Sequence, residues 1–325
     1  MAISQVSTDP IYDVIIIGGG PAGLAAALYC ARDQAQVLLL EKGFYGGQIS
    51  ITETVENYPG VFSTTGAELT ETMRKQAENF GALFETAEVQ RIDKGAESVK
   101  EVVTDIGTFK SYAVIVASGA TPRKAGFDGE EMFQGRGVSY CATCDGMFYR
   151  DKVVYVIGGG LAALEESIFL TNYVKEVHLI VRRDEFRAPL SVQKQVLAND
   201  KIKVHYNSRI KEVTGKFALE SLVLEDTKTG EVTEEVTFGP GEVGIFVFVG
   251  YTPVTEILKD YADFDDKGGV IVDADNMTKT KGIYAAGDVC TKRLRQLVTA
   301  VSDGANAATA ADKAVMDHKF EMSQA

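Results

Sequence analysis

The stretch YDVIIIGGGPAG, residues 12–23, decides the fold. Residues 12–17 are an apolar run, broken only by Asp13, that ends on Gly18-Gly19-Gly20. A strand-length apolar run entering a glycine turn is the pattern of a buried parallel strand. The alanine-rich residues 21–33 then read as a helix and residues 37–40 as the next buried strand, closed by Glu41. Strand, Gly18-x-Gly20-x-x-Gly23, helix and terminal acid together predict a dinucleotide-binding unit. The glycines permit a tight turn and a close approach of backbone to a pyrophosphate, which the helix N-terminus attracts. Glu41 stands where an acid accepts hydrogen bonds from adenosine ribose hydroxyls, and such a pocket suits FAD and NAD equally.

The pattern starts again at VVYVIGGGLAA, residues 153–163. A strand over residues 153–157 leads into Gly158-Gly159-Gly160, a helix covers about residues 161–173, and residues 177–181 form the second strand. Gly158-x-Gly160-x-x-Ala163 repeats the turn, but no acid follows it. Val181 is succeeded by Arg182 and Arg183, with Arg187 four residues on. Guanidinium groups at that place pair with a 2′-phosphate and point to NADP rather than NAD. The competing reading is a solvated basic loop.

A chain of 325 residues is long for one α/β domain and comfortable for two. A helix is expected over about residues 66–80, with Leu69, Met73, Ala77 and Phe80 along one face. Short alternating segments over residues 82–110 suggest a small antiparallel layer, and residues 112–117 another buried strand. Segments near residues 204–206, 222–225 and 231–236 again suggest hairpin strands. Ser118-Gly119-Ala120-Thr121-Pro122 and Gly250-Tyr251-Thr252-Pro253 mark crossing points. The C-terminal stretch, with a helix from about Arg295, has no glycine unit of its own and is expected to complete the first domain. The architecture predicted is α/β, with two Rossmann-like, three-layer ββα dinucleotide-binding domains. The second, residues 122–248, is inserted into the first, residues 1–121 and 249–325.

Ahead of the second unit stands Cys141-Ala142-Thr143-Cys144-Asp145-Gly146. Two cysteines with two residues between them can close a small disulfide and carry two electrons, or supply half of a zinc site. Zinc needs two further Cys or His ligands at suitable spacing. Cys30 lies in an alanine-rich helix, Cys290 follows Gly287-Asp288, and the three histidines are scattered, so no metal is expected. Cys30 and Cys290 read as small buried hydrophobes. Asp145 can exchange a proton with the cysteine before it, or simply make an Asp-Gly turn. A net charge of −13 argues against nucleic acid or an anionic membrane as partner. The opening MAISQVSTDP lacks the blocks of a signal peptide, and no apolar run is long enough to span a bilayer. A reducing cytoplasm fits a working cysteine pair best.

With these motifs in hand, the chain resembles the low-molecular-weight, bacterial type of thioredoxin reductase. Further matches are Gly46-Gly47-Gln48, Glu56-Asn57-Tyr58-Pro59-Gly60, Arg182-Arg183-Asp184-x-Phe186-Arg187-Ala188, Ala286-Gly287-Asp288 and Arg295-Gln296. The resemblance implies a homodimer with FAD in the first unit. Gly18, Gly20, Pro21, Ala22, Gly23, Glu41, Gly47, Gln48, Asn57, Gly119, Asp288, Arg295 and Gln296 would line that site. NADPH would use Gly158, Gly160, Ala163, Arg182, Arg183 and Arg187. Electrons would reach the disulfide through Cys144 on the flavin side. Cys141 would then attack the disulfide of thioredoxin or a similar protein, with Asp145 as proton carrier. The inserted domain would rotate about the two crossings. Three departures touch the nucleotide side: Leu161-Ala162 replaces polar residues after the second glycine triplet, Val181 a histidine, and Val254 an asparagine. Fewer polar groups beside a pyrophosphate weaken binding, so a reductase of the same fold fed by ferredoxin is the alternative. A non-catalytic flavin redox sensor is a third reading, from another class.

Overall fold

A computed structural model describes residues 6–52, 55–95 and 98–324; the first five of the ten N-terminal residues read for a leader lie outside them. The chain runs β1 (Ile11–Ile17), α1 (Pro21–Arg32), β2 (Val37–Glu41), α2 (Gly66–Asn79), β3 (Leu83–Thr86), β4 (Val89–Lys94), β5 (Lys100–Thr104), β6 (Gly107–Val116) and β7 (Ala120–Pro122). It continues with β8 (Val138–Ser139), α3 (Ala142–Asp145), β9 (Val153–Ile157), α4 (Leu161–Leu170), β10 (Glu176–Val181), α5 (Leu190–Leu197), β11 (Ile202–Tyr206), β12 (Ser208–Gly215), β13 (Leu219–Asp226), β14 (Val232–Thr237) and β15 (Val243–Val247). β16 (Tyr251–Pro253), β17 (Asp263–Phe264), β18 (Val270–Ile271), β19 (Ile283–Ala285) and α6 (Leu297–Gln324) complete it.

Two compact units result. One comprises the residues up to Thr121 with those from Thr252 onward, the other Pro122–Tyr251. The second boundary lies three residues beyond the expected one. The Arg123 N–H donates to the Gly250 carbonyl at 2.8 Å and the Tyr251 hydroxyl to the Tyr140 carbonyl at 3.0 Å, which holds residues 249–251 to the second unit.

In the first unit, β3-β2-β1-β6 is a parallel layer that β19 extends along the end of β6. β6 also carries the antiparallel meander β6-β5-β4. α1 and α6 pack on one face of the parallel layer with Val14, Ile16, Leu39 and Ile115 beneath them. Ile15, Leu38, Val114 and Phe109 face the other way. Burial on both faces explains why β1 and β2 read as continuous apolar runs rather than alternating ones.

The second unit repeats the design with a parallel sheet β11-β10-β9-β15-β8 and an antiparallel sheet β12-β13-β14. Two expectations are corrected. Leu83–Thr86 pairs in parallel with β2, and Ile202–Tyr206 is an edge strand of the parallel sheet, not part of a hairpin. An edge strand is half-solvated, so it mixes polar with apolar residues, as in LFET and IKVHY, and lacks the continuous apolar run of a central parallel strand.

Candidate functional site

The first glycine turn exists because a side chain cannot enter it. A Cβ on Gly23 would lie 1.9 Å from the Gly18 carbonyl oxygen, and one on Gly18 2.4 Å from that of Ala117. The bare turn lets α1 start directly over the end of β1. Gly20 caps α1 with no side-chain hydrogen bond and Pro21 takes the first helical position, so the N–H groups of Ala22 and Gly23 are offered to a ligand. A Cβ on Gly20 would meet nothing within 4 Å. Glu41 is fixed at the end of β2: its Oε2 accepts from the Gly19 N–H at 2.7 Å and its Oε1 from the Gly43 N–H at 2.9 Å. Each oxygen keeps a lone pair for a ribose hydroxyl.

Several of the other expected residues of this unit are tied to the turn or to one another. The Gly46 N–H donates to the Gly19 carbonyl at 2.8 Å, which places Gly47 and Gln48 beside it, and the Gln48 amide donates to the carbonyl of Ala120, next to Gly119. The Asn57 amide donates to Gln296 Oε1 at 3.1 Å across 239 residues of sequence. Gly287 packs so tightly on α1 that a Cβ there would come within 2.8 Å of the Ala22 side chain. Asp288 follows it, and Arg295 Nε donates to the Asp288 backbone carbonyl at 3.4 Å. Asp288 Oδ1 is buried with no hydrogen-bond partner, and burial raises the Asp288 pKa above the ordinary carboxylate value, an effect that nearby Arg295 opposes. A buried orphan acceptor costs energy unless something donates to it. A flavin dinucleotide offers such donors in its ribityl hydroxyls. It also supplies the phosphates that the helix terminus attracts and the ribose that Glu41 faces, so the residues fit FAD.

The second turn is built alike. A Cβ on Gly158 would lie 2.5 Å from the Phe248 carbonyl oxygen and 2.7 Å from the Ala163 side chain, while Gly160 has open space around it and caps α4 without a side-chain bond. The basic loop is laced to this turn by the Arg187 N–H, which donates to the Gly159 carbonyl at 2.6 Å. Its backbone is further pinned where Thr227 Oγ1 donates to the Arg182 carbonyl at 2.9 Å and the Asn207 N–H to that of Arg183 at 3.0 Å. Arg182, Arg183 and Arg187 are exposed, and among the described residues none stands in an ion pair; the loop's only bridge is Lys228 to Asp184. Three cations on a fixed loop suit a phosphate monoester. Leu161 and Ala162 are also exposed, at the first turn of α4.

Cys141, Cys144 and Asp145 form a separate group. Cys141 and Cys144 are joined by a disulfide with Cα atoms 5.3 Å apart. Cys141 precedes the single turn of α3, and the Cys144 N–H donates to Cys141 Sγ at 3.2 Å. On reduction that N–H favours a thiolate on Cys141. Asp145 Oδ2 accepts from Ser139 Oγ at 2.5 Å. The Tyr149 phenol, which packs edge-on to Phe246, is pushed up to about 12 by burial and by the Asp145 charge. Before the first cysteine, the Tyr140 hydroxyl donates to Glu130 at 2.8 Å, and Glu130 is 2% exposed. Sequence reasoning missed Ser139, Glu130 and Tyr251. Only the place of Ser139, two residues before Cys141, offered any signal.

Cys30 and Cys290 are buried thiols, and burial pushes both upward, Cys290 to about 12, so they stay protonated and inert. Among the described residues no cluster of His, Cys, Asp and Glu is arranged to hold a metal, and no helix is long and apolar enough to cross a membrane.

Comparison with known proteins agrees with this geometry. The family described as pyridine nucleotide-disulphide oxidoreductase matches residues 12–304. Thioredoxin reductase of Peptoclostridium acidaminophilum is 44% identical over 307 residues, 94% of this chain and 97% of that one. The enzyme of the same name from Peptoclostridium litorale is 45% identical over 93% of this chain and 96% of its own. The crystal structure of thioredoxin reductase from Streptococcus pyogenes superposes with a TM-score of 0.87 at 41% identity, covering 96% of this chain and all of that one. Two glycine-turn units, a dithiol ahead of the second and relatives matched over nearly their whole length place the chain in the pyridine nucleotide-disulphide oxidoreductase family, among thioredoxin reductases of the low-molecular-weight bacterial type.

Proposed function

We propose that this chain is a cytoplasmic, homodimeric, NADPH-dependent thioredoxin-disulfide reductase with FAD in the first unit. FAD, when bound, supplies a two-electron relay between a hydride donor and the disulfide. The chain's own residues do the rest. The N-terminus of α1 and Glu41 hold the pyrophosphate and ribose of FAD, while Asp288 accepts from its ribityl chain. Gly47, Gln48, Asn57, Gly119, Arg295 and Gln296 border the flavin side. Gly158, Gly160 and Ala163 leave room for the NADPH pyrophosphate, and Arg182, Arg183 and Arg187 take its 2′-phosphate. Cys144 is the sulfur on the flavin side and Cys141 the sulfur that meets the protein disulfide, with Asp145 carrying the proton.

The observation that carries the donor assignment is the unpaired arginine loop pinned to the second glycine turn. It is tested by anaerobic titration with NADPH: bleaching of the flavin band near one equivalent is expected, and a band unchanged at several equivalents refutes NADPH. The exposed Leu161 and Ala162 at the start of α4 favour the second reading, ferredoxin as donor in the same fold. There, reduced ferredoxin bleaches the flavin and NADPH does not. Cys141→Ser separates an enzyme from a redox sensor, because an enzyme loses thioredoxin turnover and keeps its flavin.

A further inference from the structure

We propose that Ser139 is a positioning residue for the dithiol step, holding the Asp145 carboxylate in place across the Cys141–Cys144 loop. The inference rests on the reading of Asp145 as proton carrier. Ser139 ends β8, is 6% exposed, and is fixed by its parallel register with the fully buried Phe246 of β15. From that strand its Oγ donates to Asp145 Oδ2 at 2.5 Å and accepts from the Cys141 N–H at 3.1 Å. The hydroxyl has one proton, so with that proton on the carboxylate its 3.3 Å approach to the Cys141 carbonyl is not a second donation.

One oxygen therefore ties the chain before the first cysteine to the acid after the second. The main chain closes the same loop, the Asp145 N–H donating to the Cys141 carbonyl at 3.2 Å. On its far edge the peptide between Tyr140 and Cys141 is held by the Tyr251 hydroxyl. The cysteine loop thus sits in a hydrogen-bonded frame, and within it Ser139 donates to the acid.

The exchange needs the acid in a fixed place. The Cys141 thiolate attacks one sulfur of the substrate disulfide, forming a mixed disulfide and releasing the other substrate sulfur as a thiolate. Cys144 sulfur then attacks Cys141 Sγ, which re-forms the enzyme disulfide and frees the second substrate sulfur. Two electrons leave the enzyme dithiol for the substrate. The Cys144 proton passes to Asp145 and on to a departing substrate thiolate, and the proton that Cys141 shed on ionising reaches the other through water. Ser139 touches neither reacting sulfur in this sequence and acts through the carboxylate it orients. The bland reading is that Ser139 only accepts the Cys141 N–H and shapes the turn into α3.

A double-mutant cycle separates the two. Flavin-loaded protein is reduced anaerobically with dithionite and mixed with oxidised thioredoxin, and flavin re-oxidation is followed as thioredoxin is raised to saturation. The donor question does not enter. Ser139→Ala removes one oxygen and adds nothing, so β8 keeps its place. It is expected to lower the limiting rate about tenfold at unchanged half-saturation, the scale of losing a group that orients a proton-transfer residue. In an Asp145→Ala background the same change is expected to have less than about a twofold effect. Ser139→Thr keeps the hydroxyl on a strand and recovers the rate to within about threefold. A tenfold loss that persists beside Asp145→Ala, a Thr variant as slow as Ala, or a change confined to half-saturation overturns the proposal. An Asp145→Ala protein as fast as the parent overturns instead the proton-carrier reading beneath it.

Discussion

Glu130→Gln isolates the support behind the redox loop. Glu130 Oε1 accepts from the Ala125 N–H at 2.9 Å and from the Tyr140 hydroxyl at 2.8 Å, and Oε2 accepts from the Gly126 N–H at 2.7 Å. All three are donors, and the side chain is 2% exposed. Glutamine keeps the shape but has one accepting oxygen. Its best placement puts Nε2 toward Gly126, where an N–H meets an NH2 and one charge-assisted bond, worth roughly 1.5–3 kcal/mol, is lost. The two remaining bonds weaken to neutral ones, and relief of a buried charge offsets part of the loss. The net cost is about 2–3 kcal/mol, which for a unit of this size lowers the melting temperature by about 6–10 °C. Calorimetry on the oxidised, flavin-loaded protein reads this. Because Tyr140 shares the carboxylate, the cost should shrink in a Tyr140→Phe background. A fall below about 2 °C, or full additivity with Tyr140→Phe, refutes the reasoning.

Asp288→Asn should act oppositely on the two forms of the protein. Burial raises the Asp288 pKa, so above the ordinary carboxylate range its ionisation costs the folded, flavin-free state, and Asn removes that cost while weakening flavin retention; apoprotein melting and flavin fluorescence measure the two. The His205 pKa is lowered by burial and by the neighbouring His178, 3.0 Å away. The unfolded chain takes up that proton first, so stability holds above about pH 6.5 and declines as pH falls below it, and His205→Gln should flatten the melting curve between about pH 7 and 5.5. A Cβ on Gly304 would lie 2.0 Å from the Ala22 carbonyl oxygen, so Gly304→Ala should lift α6 off α1 and cost more than about 3 kcal/mol in urea denaturation; a loss under about 1 kcal/mol excludes so close a contact between the two helices.

What sequence could reveal followed from period and spacing. The two glycine turns, their flanking strands and Glu41 were legible because burial on both faces leaves a continuous apolar run and because only glycine tolerates a carbonyl at 1.9 Å. The cysteine pair was legible from spacing. The segment near residues 204–206 reads as a hairpin strand, and not as part of the parallel strand Ile202–Tyr206, because an edge strand loses one buried face. Tyr251 was hidden because it bonds a carbonyl 111 residues away, while Ser139 and Glu130 bond within ten residues of themselves, but only through the loop folds around the cysteines. Serine, glutamate and tyrosine carry no spacing signature for such contacts.

The two crossings between units lie side by side. β7 and β16 form a two-stranded ribbon, and the Val254 N–H donates to the Gly119 carbonyl at 3.0 Å. This has a kinetic consequence. β19 must find β6 across the whole inserted segment, and closing a loop of that length costs roughly 3 kcal/mol more than closing one of a few residues. Once the inserted unit has folded and brought Pro122 beside Tyr251, that separation shrinks to the stretches 117–121 and 252–282, which recovers roughly 1.3 kcal/mol of the closure cost. The interruption thus becomes a scaffold for the chain around it, and a folding order in which the second unit closes first is the faster one.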